Sequence, residues 1–248
     1  MIRRRTLALL LGLPVAARAQ PAPLRVLCTG AVEHAMQEAT RGFTEATGRA
    51  VAIETGNGGQ VATRLRFREP VDLAVNAANQ MPPLLEAGVL DRATVRELGR
   101  MRLGFAMRDT GALPEIGTEA ALAAALRALP SIALSDGAAG ATTGRHVAAL
   151  LDRLAPAIPR RPFSRGLAAV QAVAAGEAGA VITQMSEILA VSGVRAAPLP
   201  DSAQLVTPYI AAIPTAAPSP AGGAALLAHL LSPAGQAPFR AAGFAGPG

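Results

Sequence analysis

The chain has no lysine, no tryptophan, one tyrosine and one cysteine in 248 residues. Each shortage removes a class of function. A Walker-type phosphate loop requires lysine, so that chemistry is excluded. The lone Cys28 rules out an internal disulfide framework and a cysteine-rich zinc site; within the apolar run that starts at Leu24 it reads as a buried, inert thiol. Aromatic residues are only 3% of the chain, too few to provide the base-stacking platforms of a nucleic-acid surface. No G-x-S-x-G elbow, H-E-x-x-H pair or other histidine pair at metal-binding spacing occurs, so neither metal nor cofactor is expected. Gly56-Asn57-Gly58 opens a dinucleotide-like pattern that fails at its third glycine position, which is Val61.

Charge is concentrated where it does not last. Arg3-Arg4-Arg5, an apolar stretch from Leu7 to Val15 and the small-x-small pattern Ala17-Arg18-Ala19 read as an export signal over residues 1–19, cleaved after Ala19. Twin arginines before Thr6 leave the general and the twin-arginine export routes both open. Four of the 23 basic residues leave with this segment and none of the 17 acidic ones, so the mature chain carries 19 against 17, a net charge of +2. That balance argues against nucleic acid as a partner. No later run approaches the ~20 apolar residues of a membrane-spanning helix, and the mature chain is expected to be soluble and periplasmic.

What is there is a rhythm of strands and helices. Leu24 to Cys28 precedes a helical run over Ala31 to Thr47, where Ala35, Ala39 and Phe43 share a face. Val51-Ala52-Ile53 and Asp72 to Val75 are further strands, the latter followed by a proline-started helix at Pro82 that Gly88 closes. A second series opens at Leu103 to Met107 and continues through a helix at Glu119 to Leu129 and the strand at Ile132. It then runs through a helix from about Gly144 to Leu154, a short strand-like link near Pro162-Phe163, a helix at Leu167 to Ala175 and the strand Ala180 to Thr183. Tyr209 to Ile213 reads as a returning strand, and a helix at Ala221 to Leu231 precedes a proline- and glycine-rich tail. This order predicts an α/β protein of two lobes joined by two crossings, 22–102 plus 206–248 and 103–205, each a mostly parallel sheet covered by helices.

Two glycine-punctuated turns stand between strands and helices. Asn57-Gly58-Gly59 follows Val51-Ala52-Ile53, and Gly137 to Gly144 follows Ile132-Ala133-Leu134. Unpaired N–H groups and the positive end of a helix meet at such a turn, which makes it an anion seat without a charged side chain. Thr29, Asn57, Gly58, Thr142 and Thr143 have suitable neutral donors at strand-to-helix turns, although threonine and asparagine also serve as plain helix caps. Arg145 could fork onto a carboxylate or lie in solvent, and Asn76, ending the third strand, could face the cleft or start a turn.

The order of these stretches resembles the molybdate-binding-like branch of the type II periplasmic solute-binding proteins. Leu24 to Gly30, Phe43-Thr44-Glu45-Ala46-Thr47-Gly48, Gly56 to Gly59, Pro70-Val71-Asp72-Leu73, Ala174 to Val181, Leu230 to Gln236 and Gly243-Phe244 carry the likeness. The resemblance implies two α/β lobes with a ligand cleft between them, and a monomeric receptor that hands a small anion to the membrane permease of an ABC transporter. It further implies ligand contact at Thr29-Gly30-Ala31, at Asn57-Gly58-Gly59, at Ala141-Thr142-Thr143-Gly144 and at the strand end Thr183 to Glu187, including Gln184. Serine is absent from the first two turns, and tyrosine from the strand end where the family's molybdate receptors carry one.

Ser135-Asp136 to Gly144, Gln184-Met185-Ser186-Glu187 and Pro198-Leu199-Pro200 resemble a branch of the same family that includes aconitate isomerase. That likeness widens the expected ligand from oxyanions to organic carboxylates, with a double-bond isomerase as the alternative function. Such a reaction needs a group to take a proton from carbon and one to return it. His146, Glu187, His34 and Asp136 are the candidates, while His229 in the terminal helix is left without a chemical role.

Overall fold

In the computed structural model, which describes residues 22–247, the opening apolar run forms β1 (Leu24–Thr29), fully interior except for Arg25. Helix α1 (Gly30–Thr47) follows at once and packs on the sheet through Val32, Ala35, Met36, Ala39 and Phe43. It stops at Gly48, whose φ of 71° is the left-handed cap that only glycine adopts without strain. The proposed signal segment 1–19 lies outside the described residues.

The chain continues through β2 (Val51–Gly56), α2 (Gly58–Arg66), β3 (Leu73–Ala77), α3 (Pro82–Glu86), β4 (Arg96–Met101) and β5 (Leu103–Arg108). Then come α4 (Glu119–Arg127), β6 (Ile132–Ser135), α5 (Thr142–Leu154), β7 (Arg160–Phe163), α6 (Gly166–Ala175) and β8 (Ala180–Gln184). The short α7 (Met185–Leu189), β9 (Val194–Pro198), β10 (Thr207–Ala212), α8 (Pro220–Leu231) and α9 (Pro233–Ala241) complete it. Strand boundaries match the sequence expectation to within a few residues. Four elements go beyond that expectation: β4, β9, α7 and α9.

Two five-stranded sheets result, ordered β2-β1-β3-β10-β4 and β7-β6-β8-β5-β9. In each, three neighbouring strands are parallel and a fourth, β10 or β5, runs against both of its neighbours. Both reversed strands directly follow a crossing between the sheets. The crossings lie side by side: Thr207 pairs with Met101, and the amide of Leu103 donates to Gln204 Oε1 over 2.6 Å. The fold is thus the two-lobed architecture of periplasmic binding proteins, with apolar clusters on both faces of each sheet.

The last helix shows why a proline-rich tail is not a disordered one. Ser232 caps α9 by accepting from the Gly235 amide, and Pro233 occupies the first turn, where no N–H is required. Phe239 is completely buried and meets Phe244 edge-on, which in turn meets Tyr209. Burying such a ring is worth about 1.5–3 kcal/mol.

Candidate functional site

Because β1, β2, β6 and β7 all feed a helix at their carboxyl ends, the N-termini of α1, α2, α5 and α6 converge between the lobes. They surround a cavity of about 50 Å³ lined by Thr29, Gly30, Asn57, Gly58, Thr142, Thr143, Arg165, Gly166 and neighbours. Roughly 10–15 Å³ on this measure holds one water, so the space suits a compact solute. Each helix end brings the equivalent of roughly half a positive charge, and two come from each lobe.

Three side-chain atoms in the wall are buried without a partner: Thr29 Oγ1, Asn57 Nδ2 and Gln184 Oε1. Thr29 stands at the cap position of α1 yet makes no cap bond. Asn57 does cap: its Oδ1 accepts from the Gln60 amide, whose side chain accepts from the Asn57 amide in return. Capping uses only the oxygen and leaves the Nδ2 donor over. Gln184 donates through Nε2 to Thr143 and Thr207 at 2.9 and 3.2 Å, which aims its oxygen elsewhere. Unpaired buried polar atoms each cost about 1–3 kcal/mol, so the three around this cavity are an unmet demand for hydrogen-bond partners.

Glu187 is the carboxyl in this wall, only 7% exposed. Burial pushes it above the usual carboxylate range, against the hydroxyl of Thr183 (2.6 Å), the Leu167 amide, the Arg165 charge and the Gln184 backbone. Gly166 makes room for it, since a Cβ there would collide with both Glu187 Oε2 and Thr183 Oγ1. Tyr209 lines the same cavity, and burial, then the nearby Glu187 charge, hold its phenol in the neutral form.

The lobes touch on both flanks of the cavity. The Gly59 amide donates to the Gly140 carbonyl at 3.2 Å, and Gln80 donates to Thr142 Oγ1 at 3.3 Å. On the other side Arg165 Nη1 reaches Thr55 Oγ1 (2.6 Å) and Glu33 Oε2 (3.2 Å), and Ser186 donates to the Ala31 carbonyl at 2.7 Å. This is a closed clamp.

Of the residues expected from sequence, Thr29, Gly30, Ala31, Asn57, Gly58, Ala141, Thr142, Thr143, Gln184 and Glu187 line the cavity. The others are not in its wall, each for a visible reason. Gly59 presses on Gly140 at the lobe contact. Asn76 is fully buried behind the wall and donates to the Gly58 carbonyl, steadying α2. Gly144 packs on the Ser135 carbonyl because α5 begins two residues earlier than the sequence reading places it. Arg145, exposed on the outer side of α5, lines a separate crevice with Asp136, whose Oδ1 accepts from the Ala138 amide in a turn. His146 Nε2 meets the Ala203 carbonyl at 3.1 Å, and His34 is exposed on the outer face of α1. Sequence reading missed Gly56, Ala77, Ser135, Arg165, Gly166 and Tyr209 in the wall. Phe163-Ser164-Arg165-Gly166 repeats the strand-to-helix junction of the other seats, and that signal was available.

Comparison with known proteins agrees with the fold. The model of the bacterial extracellular solute-binding protein family matches residues 24–245. An aconitate isomerase of Pseudomonas sp is 31% identical over 234 residues, covering 91% of this chain and 88% of that protein. The periplasmic molybdate-binding protein of Azotobacter vinelandii superposes with a TM-score of 0.76 at 19% identity, over 91% of this chain and 100% of the other. The sulfate-binding protein SubI of Mycobacterium tuberculosis gives 0.75 at 12%, over 90% and 86%. At such identities the two structures speak for the fold.

Proposed function

The chain belongs to the bacterial extracellular solute-binding protein family, and from that membership we propose that it is an exported receptor closing two lobes on a small anion. Its cargo is a molybdate-like oxyanion or a small organic carboxylate, handed to the membrane permease of an ABC-type transporter. The mature receptor begins after Ala19, works as a periplasmic monomer and divides into 22–102 plus 206–248 and 103–205. The strand membership of the two sheets supports that division. One observation carries the reading: four helix N-termini, two from each lobe, meet at one cavity whose wall holds three unpaired polar atoms. Thr29, Asn57, Gly58, Thr142 and Thr143 supply neutral donors, and Arg165 a guanidinium partly engaged by Glu33.

A thermal-shift panel of molybdate, sulfate, citrate and aconitate on the purified protein tests this. A ligand at 100 times its Kd adds about 2.7 kcal/mol to stability, and a panel with no response would overturn the receptor.

A second reading rests on Glu187. An anion receptor has no evident need of a buried carboxyl beside its guest, whereas an isomerase shifting a double bond along an unsaturated tricarboxylate does. Glu187 would take a proton from one allylic carbon and return one at the other end of the shifted bond, with no net change in protons. The 31% identity to an aconitate isomerase supports this second reading. Proton NMR of cis-aconitate with the protein decides between them: appearance of the trans isomer, lost in Glu187→Gln, selects the enzyme, and binding without turnover selects the receptor.

A further inference from the structure

We infer that Glu187 holds one proton in the liganded state, so that capture of a fully ionised anion is coupled to protonation of this carboxyl. The inference rests on the reading of the cavity as an anion site. Its basis is a conflict of signs. The four helix N-termini, the Arg165 guanidinium and the spare Asn57 amide favour negative charge, yet Glu187 brings a carboxyl to the same small space. Two like charges within a few ångströms in a water-poor site repel strongly, and the usual resolution is that one of them takes up a proton.

The surroundings of Glu187 have been arranged to keep it there. Glycine at 166 clears the space it occupies, and the Thr183 hydroxyl meets its Oε2. A threonine hydroxyl both donates and accepts, so this contact survives protonation. The charged and titratable groups around it are few. From α1 come Glu33 and His34, which with Glu187 line an outer crevice; Arg165 stands immediately before α6; Tyr209 faces it from β10. Arg165 is the one cation among them, and Glu33 already shares it at 3.2 Å. With Arg165 divided between Glu33 and Thr55, no side-chain cation among these groups is left to pair with Glu187 while the helix ends serve an anionic guest.

Gln184 adds a weaker constraint in the same direction. Its unpaired Oε1 is an acceptor in a wall of donors. The hydroxyls of Thr143 and Thr207 would follow a turned amide, however, so this group adapts to the guest while Glu187 cannot.

Sulfate, molybdate, citrate and trans-aconitate carry essentially no proton of their own at pH 7.5, so a complex with any of them isolates the proton on the protein. The test takes whichever of the four binds and records infrared spectra of the complexes of wild type and Glu187→Gln, confirmed as folded by circular dichroism. A carboxylic-acid C=O band present in the wild-type complex and missing from the variant is the expected result. Carboxylate bands for Glu187 in that complex would overturn the inference. Should the variant fail to fold, the pH dependence of wild-type affinity decides: it should fall by about tenfold per pH unit on the alkaline side of the Glu187 titration. Affinity unchanged up to the pH where the protein itself unfolds overturns it. If none of the four anions binds, it is the receptor reading that fails.

Discussion

Thr29 and Asn57 separate two uses of the same kind of residue. Both stand at the start of a helix, and from the sequence each could be a cap or a ligand contact. Asn57 is a cap with its oxygen and leaves its NH₂ to the cavity, while Thr29 caps nothing. Replacing Thr29 with valine should therefore leave the free protein as stable as before, or slightly more so, because the lost hydroxyl had no partner. Ligand binding should weaken by about 0.5–1.5 kcal/mol, roughly 2- to 12-fold in Kd by calorimetry. Asn57→Ala differs: about 1 kcal/mol of fold stability should go with the cap, as well as affinity.

Glu187 also makes a prediction for the free protein. Its folded pKa lies above the ordinary value of 4.5, so the folded chain holds a proton that the unfolded chain releases. Stability then falls as pH rises from about 4.5 through the folded pKa. Glu54 and Glu69 act with the opposite sign, since hydrogen bonds from Arg25 and Arg64 hold Glu54 low and Arg64 chiefly holds Glu69 low. Their contribution is present above 4.5 and is lost as pH falls through their folded values. Thermal melts between roughly pH 4 and 9 should show an alkaline decline that Glu187→Gln flattens, with the acid limb unchanged.

At the scale of elements, the four converging helix starts make the site, and the sequence disclosed them unevenly. The junctions at Asn57 and Thr142 announce themselves through glycine clusters, and Thr29-Gly30 through the strand before it. The start of α6 was expected to within one residue, at Leu167, but not as part of the cavity, because β7 before it contains Arg160, Arg161 and Pro162, two of them exposed, and so lacks the apolar run of an interior strand. An edge strand needs no such run, and proline is tolerated there. The same reasoning explains β4 and β9, both at sheet edges with charged residues in them. Tyr209 was read as part of a strand, but which face it presents depends on pairing with β3 and β4 from far along the chain. The histidines illustrate the reverse. Nearness in sequence to a glycine turn put His146 forward, but helical geometry carries it one turn along and away from the cavity to Ala203. Gly166→Ala tests how tightly α6 is seated, because the added methyl must displace Glu187 or the helix. Overpacking of this kind should destabilise by about 1–3 kcal/mol in a denaturant melt, and it should weaken ligand binding along with it.

For the whole molecule, the question is what holds two lobes shut over so small a cavity. On one flank the backbones themselves meet, where Gly59, one residue into α2, approaches Gly140 in the loop before α5. A Cβ on Gly59 would lie 2.8 Å from the Gly140 Cα, too close for any real contact, and both partners there are backbone. Alanine suits a helix better than glycine does, so Gly59→Ala should keep or slightly raise the stability of the free protein. What it removes is the closed arrangement alone. Apparent Kd rises in inverse proportion to the closed fraction, and cutting that fraction tenfold should raise Kd about tenfold. Gly140→Ala would be a poorer test, since its φ of 94° would strain any other residue in either state. The measurement pairs calorimetry with small-angle scattering at saturating ligand: Gly59→Ala should bind weakly and stay more expanded than the wild-type complex. Wild-type affinity and dimensions in the variant would mean that the lobes close without this contact, and that the grip comes from Arg165 and Ser186 on the opposite flank.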